Sequence, residues 1–147
     1  MKIIVHNIRS LYNVGAFFRN SDAFGVSHIY LSGYTATPPR PEIAKTALGA
    51  DQTIPWSKHE DVIELIKELK SKGERVIAFE SDPSFDKLDS IPPDNDAVLI
   101  FGNEPDGLPK DILDKASDRV YIPMAGEKTS LNVSVASGVA LYAMSRE

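Results

Sequence analysis

Residues 97–108 read Ala97-Val98-Leu99-Ile100-Phe101-Gly102-Asn103-Glu104-Pro105-Asp106-Gly107-Leu108. The apolar run Ala97–Phe101 shows no alternation, which predicts a strand buried on both faces, as in a parallel sheet. It ends abruptly in Gly102 and Gly107, the amide Asn103, and the acids Glu104 and Asp106. Glycines there let backbone approach a ligand closely or adopt positive φ. The same residues also suit an ordinary turn leading into a short helix opened by Pro109.

A parallel strand needs crossover connections, which are usually helical. The flanking sequence supplies them. Upstream, Lys2–Val5, His28–Leu31 and Arg75–Phe79 read as strands. Between them lies a helix over Val14–Phe24, closed by Gly25, and a shorter one over Glu42–Leu48, ending at Gly49. Thr35–Pro41, with its prolines, is a loop. Ser57-Lys58-His59-Glu60 fits a capping box with Ser57 as N-cap. The helix it opens puts Val62, Ile66 and Leu69 on one face, with Ile63 beside them, before Gly73. Residues 80–96 read as a polar connection, Arg119–Ile122 as a last strand, and Leu131–Met144 as a last helix. The fold class is therefore α/β, a mostly parallel sheet flanked by helices. Residues 1–147 read as a single domain, without repeat or linker. Ligands in such sheets sit beyond the carboxyl ends of strands, where the loops after residues 5, 101 and 122 fall.

Composition narrows the chemistry. With no cysteine, thiolate metal sites and sulfur nucleophiles are excluded. His6, His28 and His59 are scattered without metal-ligand spacing, so no metal is expected. No stretch approaches a membrane span, and Met1–Val5 run straight into polar sequence, so the expected address is the cytoplasm. Net charge is −5, yet residues 1–50 carry five basic and two acidic side chains. A local positive face built by Arg9, Arg19, Arg40 and Lys45 could neutralise phosphates; ordinary surface scatter is the alternative.

Two more segments carry chemistry-bearing residues at strand ends. In His6–Arg19, Asn13 occupies the expected helix N-cap. Arg19 follows in an apolar turn, either facing solvent or holding a guanidinium ready to grip phosphate. In Ile122–Gly138, Ser130 and Asn132 stand at a helix start, and Ser134, Ala136, Ser137, Gly138 and Ala140 allow close packing. No G-x-G-x-x-G occurs, and Gly126-Glu127-Lys128-Thr129 lacks the spacing of a phosphate loop.

In this order and spacing, the three segments resemble the SpoU/TrmH-type enzymes of the SPOUT superfamily, which are 2′-O-ribose RNA methyltransferases. Asn7, Asn13, Gly15 and Arg19 match the first motif of that family. Gly102, Glu104, Gly107 and Leu108 match the second. Ile122-Pro123-Met124, Gly126 and Ser130-Leu131-Asn132 match the third. Lys45–Ala50 looks like the family's basic segment, with alanine where many relatives have serine. The resemblance implies a C-terminal trefoil knot that binds S-adenosylmethionine against Phe79, Gly102, Ile122, Ser130 and Leu131. It implies a homodimer acting on tRNA or rRNA, with Arg9, Arg19, Arg40 and Lys45 toward RNA. The catalytic set carried over is Arg19, Asn13, Glu104, Ser130 and Asn132. The chain looks like the minimal, single-domain members, without a separate RNA-binding domain. A base-methylating SPOUT enzyme and a non-catalytic nucleotide- or RNA-binding domain are the competing readings.

Overall fold

The computed structural model describes residues 1–103 and 105–146. Strands β1 (Lys2–His6), β2 (His28–Ser32), β3 (Trp56–His59), β4 (Val76–Phe79), β5 (Asp86–Lys87), β6 (Val98–Phe101) and β7 (Asp118–Tyr121) form one sheet. Its order is β3-β2-β1-β6-β4-β7-β5, and every strand pairing is parallel. The helices are α1 (Leu11–Ala23), α2 (Pro41–Ala47), α3 (Ala50–Thr53), α4 (Val62–Ser71), α5 (Lys110–Lys115) and α6 (Val133–Ser145).

All residues of β4 and β6 are buried, which explains their unbroken apolar runs. Alternation divides them between two cores. Ile3, Val5, Ile77, Phe79, Leu99 and Phe101 face a layer that includes Phe17 and Phe18 of α1 and Leu141 of α6. Ile4, Val76, Ala78, Val98 and Ile100 face α4 and α5 through Leu65, Ile66, Leu69 and Ile112. Each such large side chain contributes about 1.5–3 kcal/mol when fully buried. The central register is therefore firmly specified, because a one-residue slip would exchange the two cores.

Helix α1 meets α2 at Gly15. A Cβ there would lie 2.0 Å from Thr46 Oγ1 and 2.2 Å from the Ile43 carbonyl oxygen, so only glycine permits this approach. Thr46 Oγ1 then donates to the Tyr12 carbonyl at 2.7 Å, fastening the two helices.

Two expected caps are corrected. Asn13 lies inside α1; the N-cap is Ser10, whose Oγ accepts the Asn13 N–H at 3.2 Å. Ser57 lies in β3, and α4 is capped instead by Asp61, which accepts the Glu64 N–H at 3.1 Å. The Ser57 hydroxyl sits between two imidazoles, 2.8 Å from His28 Nε2 and 2.7 Å from His59 Nε2. Burial lowers the His28 pKa, helped by neighbouring His59 and Lys2. Burial also lowers that of His6, whose Nδ1 is 2.9 Å from Ser32 Oγ. The polar connection after β4 holds β5 and a 3-10 turn, Leu88–Ser90, which plants Leu88 in the core.

Candidate functional site

Three chain segments converge beyond the carboxyl ends of β4 and β6. Phe79, Glu80 and Ser81 come from the end of β4; Phe101, Gly102, Asn103 and Gly107 follow from β6. Ile122 and Met124 come after β7, and Thr129–Val133 with Ala136 lead into α6. Together they enclose a cavity of about 380 Å³. All five residues expected at a cofactor, Phe79, Gly102, Ile122, Ser130 and Leu131, lie in this one wall.

The Phe79 and Phe101 rings stack with centroids 5.1 Å apart, giving the cavity a flat apolar floor. Its opposite side is polar. The Glu80 carboxylate accepts the Leu108 N–H at 2.6 Å. Burial pushes its pKa up, against backbone hydrogen bonds from Leu108 and Ser81. Gly107, with φ of 65°, lies against this carboxylate; a Cβ there would be 2.5 Å from Glu80 Oε2. The Gly107 N–H also donates to the Asn103 carbonyl at 2.6 Å, closing the loop that carries the second motif. Glu104 lies outside the described residues.

Asn103 joins the cavity to the loop after β2. It is 5% exposed, and its Nδ2 donates to the Tyr34 hydroxyl at 2.6 Å. Tyr34 in turn donates its N–H to Asn7 Oδ1 at 3.0 Å, and the Arg9 guanidinium lies 5.9 Å from its ring centroid. Asn7 adopts a left-handed φ of 52°, which asparagine tolerates better than most residues.

Helix α6 is capped by Asn132, whose Oδ1 accepts from the Ser134 N–H at 2.9 Å. Helix α1 is tied to this first turn through Asn20. Its Nδ2 donates to the Ser134 carbonyl at 2.8 Å and to Ser137 Oγ at 2.9 Å. Arg19, the preceding residue, is exposed and is not among the cavity-lining side chains. Among the described residues its guanidinium has no hydrogen bond or ion pair. Asn13 is half-buried one helical stretch earlier, and Ser130 is exposed at the cavity.

The expected basic residues are more dispersed. Arg40 precedes α2, 4.0 Å from Glu42, beside a second hollow shared with Trp56 and Lys58. Lys45 is exposed in the last turn of α2. Among the described residues no cluster of histidine and carboxylate side chains suits a metal ion. The sequence pattern assigns no role to Glu80, Asn20 or Asn103, although Asn103 stands among the polar residues that end the β6 run. An acid placed directly after the apolar strand Val76–Phe79 was the available signal for Glu80.

A parallel α/β sheet with a cavity at strand carboxyl ends, walled by the segment before the last helix, defines a ligand-binding α/β domain. Residues 1–142 match the SpoU rRNA Methylase family, and the chain belongs to that family. The tRNA (guanosine(18)-2′-O)-methyltransferase of Aquifex aeolicus (strain VF5) is 30% identical, the match covering 99% of this chain and 68% of the relative. The 23S rRNA (guanosine-2′-O-)-methyltransferase RlmB of Vibrio vulnificus (strain CMCP6) is 28% identical, covering 99% of this chain and 58% of that one. An AdoMet-bound rRNA methyltransferase from Sinorhizobium meliloti superimposes with a TM-score of 0.89 at 28% identity, over 97% of this chain and 54% of that one. The chain thus spans little more than half the length of most of these relatives.

Replacing Asn20 with alanine removes both hydrogen bonds that tie α1 to α6. We expect a loss of about 1–3 kcal/mol in denaturant unfolding. An Asn20→Ala protein as stable as the parent would mean that the two helices are held by apolar packing alone.

Proposed function

We propose that this chain is the catalytic domain of an S-adenosylmethionine-dependent RNA methyltransferase that acts on a ribose 2′-hydroxyl. The observation that carries this reading is the cavity. It joins segments of the second and third motifs, Gly102–Gly107 and Ile122–Asn132, in a family whose relatives include 2′-O-methyltransferases. Its size suits a small ligand, and its stacked rings and polar rim suit an adenosyl group and a polar amino-acid end. S-adenosylmethionine, when bound, supplies an electrophilic methyl group. Phe79, Phe101, Ile122 and Leu131 would hold its apolar surface and exclude water.

A neutral ribose hydroxyl is a weak nucleophile, so its proton must leave during attack. Arg19 is a poor base, because a guanidinium has a pKa above ~12 and no acceptor atom. Its role is to hold the neighbouring RNA phosphate and to stabilise developing negative charge on the attacking oxygen, while phosphate or water accepts the proton. Asn20 supports this by docking α1 onto α6, next to the Asn132 cap. Asn13 and Asn132 would orient the ribose, and Ser130 would hold the amino-acid end of the cofactor. Arg9, Arg40 and Lys45 would meet backbone phosphates.

The domain works as a homodimer in this proposal. Val135, Val139 and Tyr142 are 53%, 39% and 58% exposed, and their spacing aligns them along one face of α6. A second copy would cover that stripe and contribute to the RNA face. The family relationship supports threading of the C-terminal segment into a knot. So does the path from β7, outside β4, back to α6 packed against α1. The setting proposed is the cytoplasm; no described helix is long and apolar enough to cross a membrane.

Incubation with methyl-labelled S-adenosylmethionine and unmodified tRNA or rRNA tests the chemistry. Alkaline hydrolysis should leave label in resistant dinucleotides, since cleavage needs a free 2′-hydroxyl; label in mononucleotides would mean base methylation. Arg19→Ala should lower the rate by about 10²-fold or more, with Arg19→Lys recovering part of it. Equal loss in both variants would contradict simple charge stabilisation. Light scattering should give twice the 16.1 kDa chain mass at micromolar concentration. A monomer would contradict the dimeric site.

A further inference from the structure

Glu80 is unusual for its position. It puts a carboxylate in the wall of a cavity whose lining, among the described residues, contains no lysine, arginine or histidine. One of its oxygens, Oε1, is anchored by the Leu108 N–H at 2.6 Å. The absence of a Cβ at Gly107 leaves room for Oε2. A carboxylate has about four acceptor positions, so capacity remains for donors from a ligand.

Strand alternation tells which end of a ligand it meets. Phe79 points to the core that holds α1 and α6, so Glu80, the next residue, points to the other side, where Leu108 packs with α5. Arg19, Asn20 and Asn132 are on the α1–α6 side. The N-terminal end of α6 favours an anionic group through the helix dipole, so an amino-acid carboxylate belongs there. That same carboxylate would be repelled by Glu80. A neutral, donor-rich group belongs at Glu80 instead, and the vicinal hydroxyls of a nucleoside ribose have that chemistry.

We propose that Glu80 is a specificity residue that accepts hydrogen bonds from the ribose hydroxyls of the bound adenosyl cofactor. This rests on reading the cavity as the S-adenosylmethionine site. Anchoring by Leu108 then couples ribose recognition to the shape of the Gly102–Gly107 loop.

Calorimetry with S-adenosylhomocysteine and its 2′-deoxyadenosyl counterpart tests it without any methyl transfer. The native protein should prefer the ribose form by about tenfold or more, the scale of a hydrogen bond to a charged group. In Glu80→Gln, which keeps an acceptor for Leu108, the preference should fall to within about twofold. Undiminished preference in that variant would overturn the proposal. So would equal binding of both ligands by the native protein, a comparison that needs no variant to fold. Failure of the native protein to bind S-adenosylhomocysteine at all would instead overturn the underlying reading of the cavity.

Discussion

The structure depends on β6 and β4 being buried on both faces. Val98–Phe101 and Val76–Phe79 have no face left for polar side chains; β6 pairs parallel with β1 and β4, and β4 with β6 and β7. Chemistry-bearing groups are thereby confined to the strand ends. At the carboxyl ends, the chain changes within one residue from apolar core to Glu80 and Gly102. The stacked Phe79 and Phe101 rings mark that boundary and form the cavity floor. A site made this way is rigid on one side and adjustable on the other, where loops supply the polar groups.

Electrostatics separates the two sides of the cavity. The first turn of α6, capped by Asn132, offers a positive dipole end, and Arg19 stands on the neighbouring helix. Glu80 stands across the sheet plane, its charge anchored by backbone amides. An elongated zwitterionic ligand can satisfy both only in one orientation. The hydrogen bonds from Asn20 matter for the same reason, since they hold the Arg19-bearing helix against α6. The net charge of −5 is compatible with an RNA substrate because Arg9, Arg19, Arg40 and Lys45 lie in the loops and helices following β1 and β2.

Much of this was legible from one sequence. The buried runs and the crossover helices follow from apolar patterning and glycine placement; the grouping of the second and third motif segments came with the family resemblance, and Arg19 of the first motif stands outside the cavity they line. Two caps were misread because local signals compete. Ser10 and Asn13 are both good N-caps, and Ser10 wins by starting α1 at Leu11. Ser57-Lys58-His59-Glu60 has the form of a capping box, but Ser57 is drawn into β3 between His28 and His59. That tertiary pairing leaves no trace in the local pattern. The short β5, Asp86–Lys87, is too brief and polar to announce itself. Strand order is set by which faces bury each other, and a single chain shows only the sequence of elements. Glu80 belongs to none of the three motif segments, and a lone acid after a buried strand is equally suited to an ordinary solvent-facing loop.

The most direct test is a crystal structure grown with S-adenosylhomocysteine. The account predicts the ligand between Phe79, Phe101, Ile122 and Leu131, with its ribose at Glu80 and its amino-acid end toward Asn132. A ligand bound elsewhere, or a cavity left empty at saturating ligand, would contradict it.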